Sequence, residues 1–255
     1  MIRETWGKYR TIFDRKFAVV FLLGHDSDDD KTNVAVENEA NCYNDILRTN
    51  IVDTFSNLTI KTLSTFKWIS QNLQHKVRYY VITDDNCVAD LRTITNYLVR
   101  YLNPNAYETS AMYCGFMYER NSGVIRGNGK MSVSEQVYPN PIYPSYCRGA
   151  MVILTHNMIN DIYITSTQTD YEDFPLEDVM VYGILREKLN KINIKPVING
   201  GIPLIFYPWD DGKTATNAMR WKWQRWRSKF QRVPHKIYKR KTCHKHFKEN
   251  MLLGR

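Results

Sequence analysis

The sequence predicts an α/β fold, a mixed sheet flanked by helices, on three observations. Short β-prone apolar runs alternate with amphipathic segments through residues 1–105. Strand followed by helix, twice over, is the signature of crossover connections in a parallel sheet. From 110 to 210 shorter strand and helix patterns mix without a repeat or low-complexity linker.

The elements follow in order. "FAVVFLLG" (17–24) reads as a buried strand closed by Gly24, and the acidic "HDSDDD" after it as a loop. In "LTIKTLSTFKWISQNL" (58–73) Ile60, Leu63, Phe66, Ile69 and Leu73 recur every three or four positions, which predicts an amphipathic helix. "VRYYVIT" (77–83) is the next buried strand. "VADLRTITNYLVRYL" (88–102) is the next helix, with Val88, Leu91, Ile94 and Leu98 on one face and Pro104 just beyond. Further strands are expected in "AMYCGFMYE", "GAMVILT" and "IPLIFYP", with helices near 156–164 and 178–190.

A chain of 255 residues with 43% hydrophobic content can bury a substantial core. Its longest clean apolar run, 17–24, is far short of the roughly 18 residues a membrane helix needs. The opening "MIRETWGKYR" is charged, unlike a signal peptide. Residues 1–211 hold 21 Lys+Arg against 25 Asp+Glu, a net −4, whereas 212–255 hold 14 against one, a net +13. The body is mildly acidic and the tail strongly basic, so the overall +9 is no argument for nucleic acid as a partner of the whole chain. The expected division is a domain over 1–211 and a basic, aromatic-rich extension over 212–255, read as a solvated helix and tail. Cys42, Cys87, Cys114, Cys147 and Cys243 lack metal-site spacing and fit either one or two disulfides or reduced thiols.

The run "VRYYVITDDN" (77–86) ends a predicted strand in Asp84, Asp85 and Asn86. Ligands of α/β sheets bind beyond the carboxyl ends of strands. Like charges placed there suit either a solvated loop or a cation shared with a substrate's phosphates. "PLEDV" (175–179) puts Glu177 and Asp178 at a helix start, where the macrodipole favours carboxylates.

Seven segments occur together: "IRETWG" (2–7), "VFLLG" (20–24), "ENEANCYNDIL" (37–47), "DTFSNLTIKTL" (53–63), "TDDN" (83–86), "YPSYCRG" (143–149) and "PLEDV". In this order they resemble the β-1,3-galactosyltransferase-like enzymes of glycosyltransferase family 31, from about residue 2 to about 190. The resemblance implies a GT-A-like nucleotide-diphospho-sugar transferase fold and a UDP-sugar donor. It also implies a glycan acceptor on glycoprotein or glycolipid, a manganese ion, inversion at the anomeric carbon, and a lumenal place on the Golgi membrane through an N-terminal anchor. Asp84, Asp85 and Asn86 match the family's metal motif, and Asp84 also falls on the donor side. Asp178 matches the catalytic base, needed to take the acceptor's proton. Arg3, Asp45 and Lys61 match donor-site positions, and Tyr146, Gly149 and Glu177 match the acceptor side, with Tyr143 and Pro144 in the same wall. Asn57-Leu58-Thr59 is a glycosylation sequon lying inside the family's own motif.

Departures accompany the resemblance. Asn86 stands where the family has an aspartate, keeping an oxygen donor but losing a charge, which implies a weakened manganese site. Ile82 replaces a lysine, and Gly149-Ala150-Met151 replaces a Gly-Gly-Tyr type sequence. No histidine follows in "NGGIPLIFYPWDD", where Asp210 or Asp211 is the substitute ligand. The family's first strand, which precedes "IR.TWG", is expected to be missing, together with stem and anchor. Two other readings stay open. One is a relative that binds nucleotide or glycan without transfer. The other is a polyanion or nucleic-acid binder acting through "RWKWQRWRSKFQRVPHKIYKRKTCHKHFK" (220–248).

Overall fold

The structure is a computed structural model. It describes residues 1–74, 76–100, 102, 105–115, 117–118, 122–171, 173–189, 195–196, 205–206 and 212–237. Along the chain come β1 (Tyr9–Ile12), β2 (Arg15–Lys16), β3 (Phe21–His25), α1 (Asp30–Tyr43), β4 (Ile46–Val52) and α2 (Leu58–Asn72). They are followed by β5 (Tyr79–Ile82), β6 (Val88–Ala89), α3 (Leu91–Arg100), β7 (Met112–Cys114), β8 (Met117–Tyr118), β9 (Tyr146–Cys147), β10 (Val152–Thr155) and α4 (His156–Ser166). A helical stretch then runs as α5 (Glu177–Val179), a π-helical segment (Met180–Leu185) and α6 (Arg186–Lys188). The last elements are β11 (Lys195–Pro196), β12 (Ile205–Phe206), α7 (Gly212–Gln231) and β13 (His235–Ile237).

The central sheet has the order β11-β7-β10-β5. β10 runs antiparallel to both β5 and β7, whereas β7 and β11 are parallel. Side chains alternate across a strand, so this sheet divides two cores. Ile153 and Tyr113 point into one, while Val152, Leu154, Met112 and Cys114 enter the other. The first core is closed by Trp6, Tyr9, Ile12, α3 and α7. The second is closed by Leu63, Phe66 and Ile69 of α2, by α4, and by the helical stretch from 177.

The expected parallel crossover is present, but between β3 and β4, joined by α1. β5 was expected to continue it and instead pairs antiparallel with β10. Local pattern identifies a buried strand but not its partner, because pairing is a long-range choice. α1 and β4 are additions to the sequence reading. α1 buries no residue, so it carries no apolar stripe to announce it; its acidic start is a cap, with Asp29 accepting from the Lys31 amide. The strand expected at 17–24 begins at Phe21. The helix expected from 88 begins at Leu91, because Val88 and Ala89 pair with β12 and Asp90 caps the helix through Thr93.

The C-terminal segment is not a solvated appendage. Met219, Trp223 and Trp226, one face of α7, lie in the first core with Trp6 and Tyr9. β13 pairs antiparallel with β1, and His235 packs edge-on against Tyr9 at 5.1 Å. Basic composition hid an apolar stripe at spacing four and three, because Trp contributes area without lowering the charge. Residues 238–255, including the "KRK" run, lie outside the described residues.

Candidate functional site

The rim of the central sheet collects the segments singled out by sequence. β5 ends at Ile82, opposite Val152 of β10. Thr83 continues past the strand and donates its hydroxyl to the Ala150 carbonyl at 2.8 Å. The next residues form a turn in which the Cys87 amide reaches the Asp84 carbonyl at 3.3 Å. Asp84 and Asp85 are exposed on this turn and Asn86 is half-buried. Behind it, the Trp6 indole donates to the Cys87 carbonyl at 3.1 Å, and the Cys87 thiol is buried and pushed up to about 12 by that burial.

One residue before Ala150, the Gly149 amide donates to Asp178 Oδ1 at 2.9 Å. A Cβ on Gly149 would lie 2.5 Å from that oxygen and 3.4 Å from Glu177 Oε2, so only glycine allows this approach. Thr83, Ala150, Gly149 and Asp178 therefore tie the acidic turn to the "PLEDV" segment. Asp84 is also near enough for its charge to act on Tyr182 in the π-helical segment.

Glu177 lies beside Asp178 in the same turn. Its carboxyl is pushed well above the ordinary range by burial, reinforced by the adjacent Asp178, and Thr62 of α2 donates to its Oε1 at 3.0 Å. The Tyr182 phenol is pushed up by burial and by Glu177 and Asp178. Tyr182 Oη is buried close to Glu177 without good hydrogen-bond geometry. A carboxyl whose proton affinity is raised beside a second carboxyl held by a backbone amide is an arrangement found at acid–base centres. Two carboxyl groups in different surroundings can take different roles.

The wall beside this pair is aromatic. Tyr143 packs with Tyr138, Phe174 and Tyr146, at ring separations of 5.4, 6.3 and 6.4 Å. Gly183 brings the π-helical segment onto this wall, since a Cβ there would lie 3.0 Å from Tyr146 Cβ. Irregular helical turns of this kind occur often at functional sites. Cys147 bonds to Cys114 in a disulfide and pins the same wall to β7.

The remaining candidates sit on the β3–β4 side. Arg3 donates through Nε and Nη2 to both oxygens of Asp45, each at 2.8 Å, and through Nη1 to Glu39. Its guanidinium stacks over Phe21 and Tyr43. Burial alone would lower the Arg3 pKa, but the bonds to Asp45 and Glu39 outweigh it and raise the value. Lys61 Nζ reaches Asp53 Oδ1 at 2.5 Å, and Asp53 Oδ2 accepts from the Gly24 amide at 2.9 Å. Against burial, these bonds hold the Asp53 carboxyl below its ordinary range. Arg3 and Asp45 are thus one another's partners. Lys61 belongs to a second charged pair, linked to the carboxyl site through its neighbour Thr62.

Sequence reasoning missed Thr62, Asp53 and Tyr182. Thr62 and Asp53 lie inside the quoted "DTFSNLTIKTL", but the bond from Thr62 to Glu177 spans 115 positions and no spacing announces it. The sequon is engaged by the fold: Asn57 donates its side-chain amide to the Val52 carbonyl, and Thr59 is buried. For a divalent cation, Asp84 and Asp85 offer two carboxylates and Asn86 an amide oxygen, a hard donor set that fits manganese or magnesium. Among the described residues no three His, Cys, Asp or Glu side chains gather at one point, and Asp210 and Asp211 lie outside them.

Comparison with known proteins gives the family of the chain. Residues 1–198 match the family model described as galactosyltransferase. Beta-1,3-galactosyltransferase 1 of Mus musculus is 32% identical over 201 residues, covering 78% of this chain and 58% of the relative. The Homo sapiens protein of that name matches equally. Beta-1,3-galactosyltransferase 5 of Pan troglodytes is 28% identical over 189 residues, 74% of this chain and 60% of the relative. The chain spans less than two thirds of the length of these relatives. With a family match over most of its length and a mixed α/β architecture to carry it, the chain belongs to the galactosyltransferase family.

Proposed function

We propose that the chain is a UDP-sugar-dependent hexosyltransferase that transfers galactose or N-acetylglucosamine to a glycan acceptor in β-1,3 linkage with inversion. The observation that carries this reading is the run of bonds from Thr83 through Ala150 and Gly149 to Asp178, which sets the acidic turn and Asp178 on one rim. Inversion requires the leaving diphosphate and the acceptor's proton acceptor on opposite sides of one anomeric carbon. Asp178, oriented by the Gly149 amide, takes the acceptor hydroxyl's proton as its oxygen bonds to that carbon. The bond from the anomeric carbon to the diphosphate oxygen breaks in the same displacement, and UDP leaves with the electron pair. Asp84, Asp85 and Asn86 would hold the manganese ion, whose chemistry when bound is to neutralise charge on the diphosphate. Glu177, its proton affinity raised and its carboxyl fixed by Thr62, hydrogen-bonds an acceptor hydroxyl, and Tyr146 and Gly149 form the wall beside it. Arg3, Asp45 and Lys61 shape the donor side.

A lumenal Golgi setting is part of this proposal. The Cys114–Cys147 disulfide supports an oxidising compartment. No helix among the described residues is long and apolar enough to cross a membrane.

One observation favours a second reading, a family member that binds nucleotide without transfer: Asn86 leaves the turn with two carboxylates. The experiment is transfer from UDP-galactose and UDP-N-acetylglucosamine, with manganese, to a panel of hexose-terminated acceptors. Product that disappears in Asp178→Asn, with UDP binding retained, is the expected result. UDP binding without product on any acceptor supports the second reading, and neither binding nor product overturns both.

A further inference from the structure

The aromatic wall beside the carboxyl pair continues outward. Tyr146, Tyr143 and Tyr138 form a row, with neighbouring rings 6.4 and 5.4 Å apart. At the Tyr138 end lies a cleft of about 480 Å³, lined by Tyr138, Asn140, Ile184, Glu187 and Lys188. The last three stand at helical spacing i, i+3 and i+4, so they share one face. Ile184 follows Glu177 by seven positions in the same helical stretch, about 10 Å along a helix rising ~1.5 Å per residue.

Both sides of the cleft are ordered. The Tyr138 hydroxyl donates to the Ile142 carbonyl at 3.2 Å, and its ring meets Phe174 edge-on at 5.9 Å. Arg126 donates to the Val133 and Asn140 carbonyls at 2.8 and 2.9 Å, which closes the loop carrying Tyr138 and Asn140. Across the cleft, Lys188 Nζ donates to the Thr169 hydroxyl at 3.0 Å. Arg186 donates to the Ser145 carbonyl at 2.8 Å and ties the helical stretch to the wall.

We propose, resting on the transferase reading above, that this cleft is a saccharide subsite. It takes the sugar residue that precedes the acceptor residue in an uncharged glycan chain. A pyranose ring has an apolar C–H face and a rim of hydroxyls. Tyr138 and Ile184 offer apolar surface to the face; Asn140, Glu187 and Lys188 offer donors and acceptors to the rim. The volume lies within the range of small-ligand sites, about 300–1,000 Å³. Glu187 and Lys188 cancel in charge, so an acidic sugar gains nothing here over a neutral one. Continuity gives the sugar's place in the chain. The tyrosine row leads from the cleft to Tyr146, so a glycan lying along it presents its end to Asp178.

The test uses the whole chain with UDP-galactose or UDP-N-acetylglucosamine and manganese. Lactose and N-acetyllactosamine are compared with methyl β-galactoside and methyl β-N-acetylglucosaminide as acceptors. Saturation-transfer NMR reads the binding of the same sugars with UDP alone. The disaccharides are expected to show the lower KM. Asn140→Ala with Glu187→Ala should raise the disaccharide KM about tenfold, as for lost hydrogen bonds, and leave the monosaccharide KM in place. Both positions are exposed, so this variant should melt with the wild type. Tyr138→Leu should erase the same preference, read as the ratio of disaccharide to monosaccharide KM, which a general loss of folded protein does not move. Equal KM values for both acceptor sizes in the wild type overturn the subsite. So does a disaccharide preference that survives both variants. Absence of product on every acceptor defeats the transferase reading alone. The NMR then decides: disaccharide binding lost in both variants upholds the saccharide site, and no disaccharide binding overturns it.

Discussion

The Gly149 amide and Asp178 Oδ1 are 2.9 Å apart, and any side chain at 149 would meet that oxygen at 2.5 Å. This contact fixes the Asp178 carboxylate to the backbone one residue before the carbonyl that holds Thr83. Gly149→Ala should displace Asp178 while leaving the nucleotide side intact. Turnover should fall about a hundredfold with UDP affinity nearly unchanged, since an ångström of misplacement costs on that order. Single-turnover rates measured beside UDP titrations check it.

Glu177 makes stability depend on pH. Burial raises its folded pKa well above the ordinary 4.5, so the native state holds a proton that the unfolded chain releases. Its contribution is complete below the ordinary value and is lost as pH rises through the folded one. Glu177→Gln keeps an uncharged group and an oxygen for Thr62. Melting temperatures should decline for the wild type relative to this variant as pH rises above the ordinary 4.5, with the two converging below it. Parallel profiles would show Glu177 ionised alike in both states.

Asn86→Asp should restore one negative charge to the turn and strengthen manganese-dependent UDP binding. A diphosphate would supply oxygen ligands to an ion held by Asp84, Asp85 and Asn86, so metal and nucleotide should bind cooperatively in the wild type. Asp178→Asn should leave both affinities in place. Calorimetric titration of UDP with and without manganese measures all three. Indifference of the wild type and Asn86→Asp to both ligands would leave the turn a solvated loop.

Trp223→Ala should destabilise the fold by about 3–5 kcal/mol, the usual cost of truncating a large buried aromatic. The loss should reach the acidic turn, because Trp223 shares a core with Cys87, Val88 and Ala89. Deleting 212–255 removes Met219, Trp223, Trp226 and a paired strand, so it should leave no cooperative melting transition. Denaturant unfolding distinguishes these outcomes from a removable tail.

Reducing the Cys114–Cys147 bond should cost about 3–4 kcal/mol, the loop-closure entropy expected for a separation of 33 residues. Cys114→Ala with Cys147→Ala should show the same loss without reductant, measurable by urea unfolding.

Local periodicity by itself determined that α2, β5, α3 and α4 exist, because each carries an apolar face whose spacing is set by its own backbone. It also marked the segments at 83–86 and 175–179, since clustered carboxylates after an apolar run stand out in any reading. α1 was silent because it buries nothing, and α7 was misread because its charge is more conspicuous than its three core positions. Only the tertiary structure decided that β5 pairs with β10, that α7 closes the first core, and that Arg3 and Asp45 are each other's partners. It alone brought Thr62 to Glu177 and Gly149 to Asp178. The physical reason is separation: a side chain's spacing along an element is fixed by local geometry. Its proton affinity and its partners depend on burial and on groups dozens of positions away, which meet only when the chain has packed.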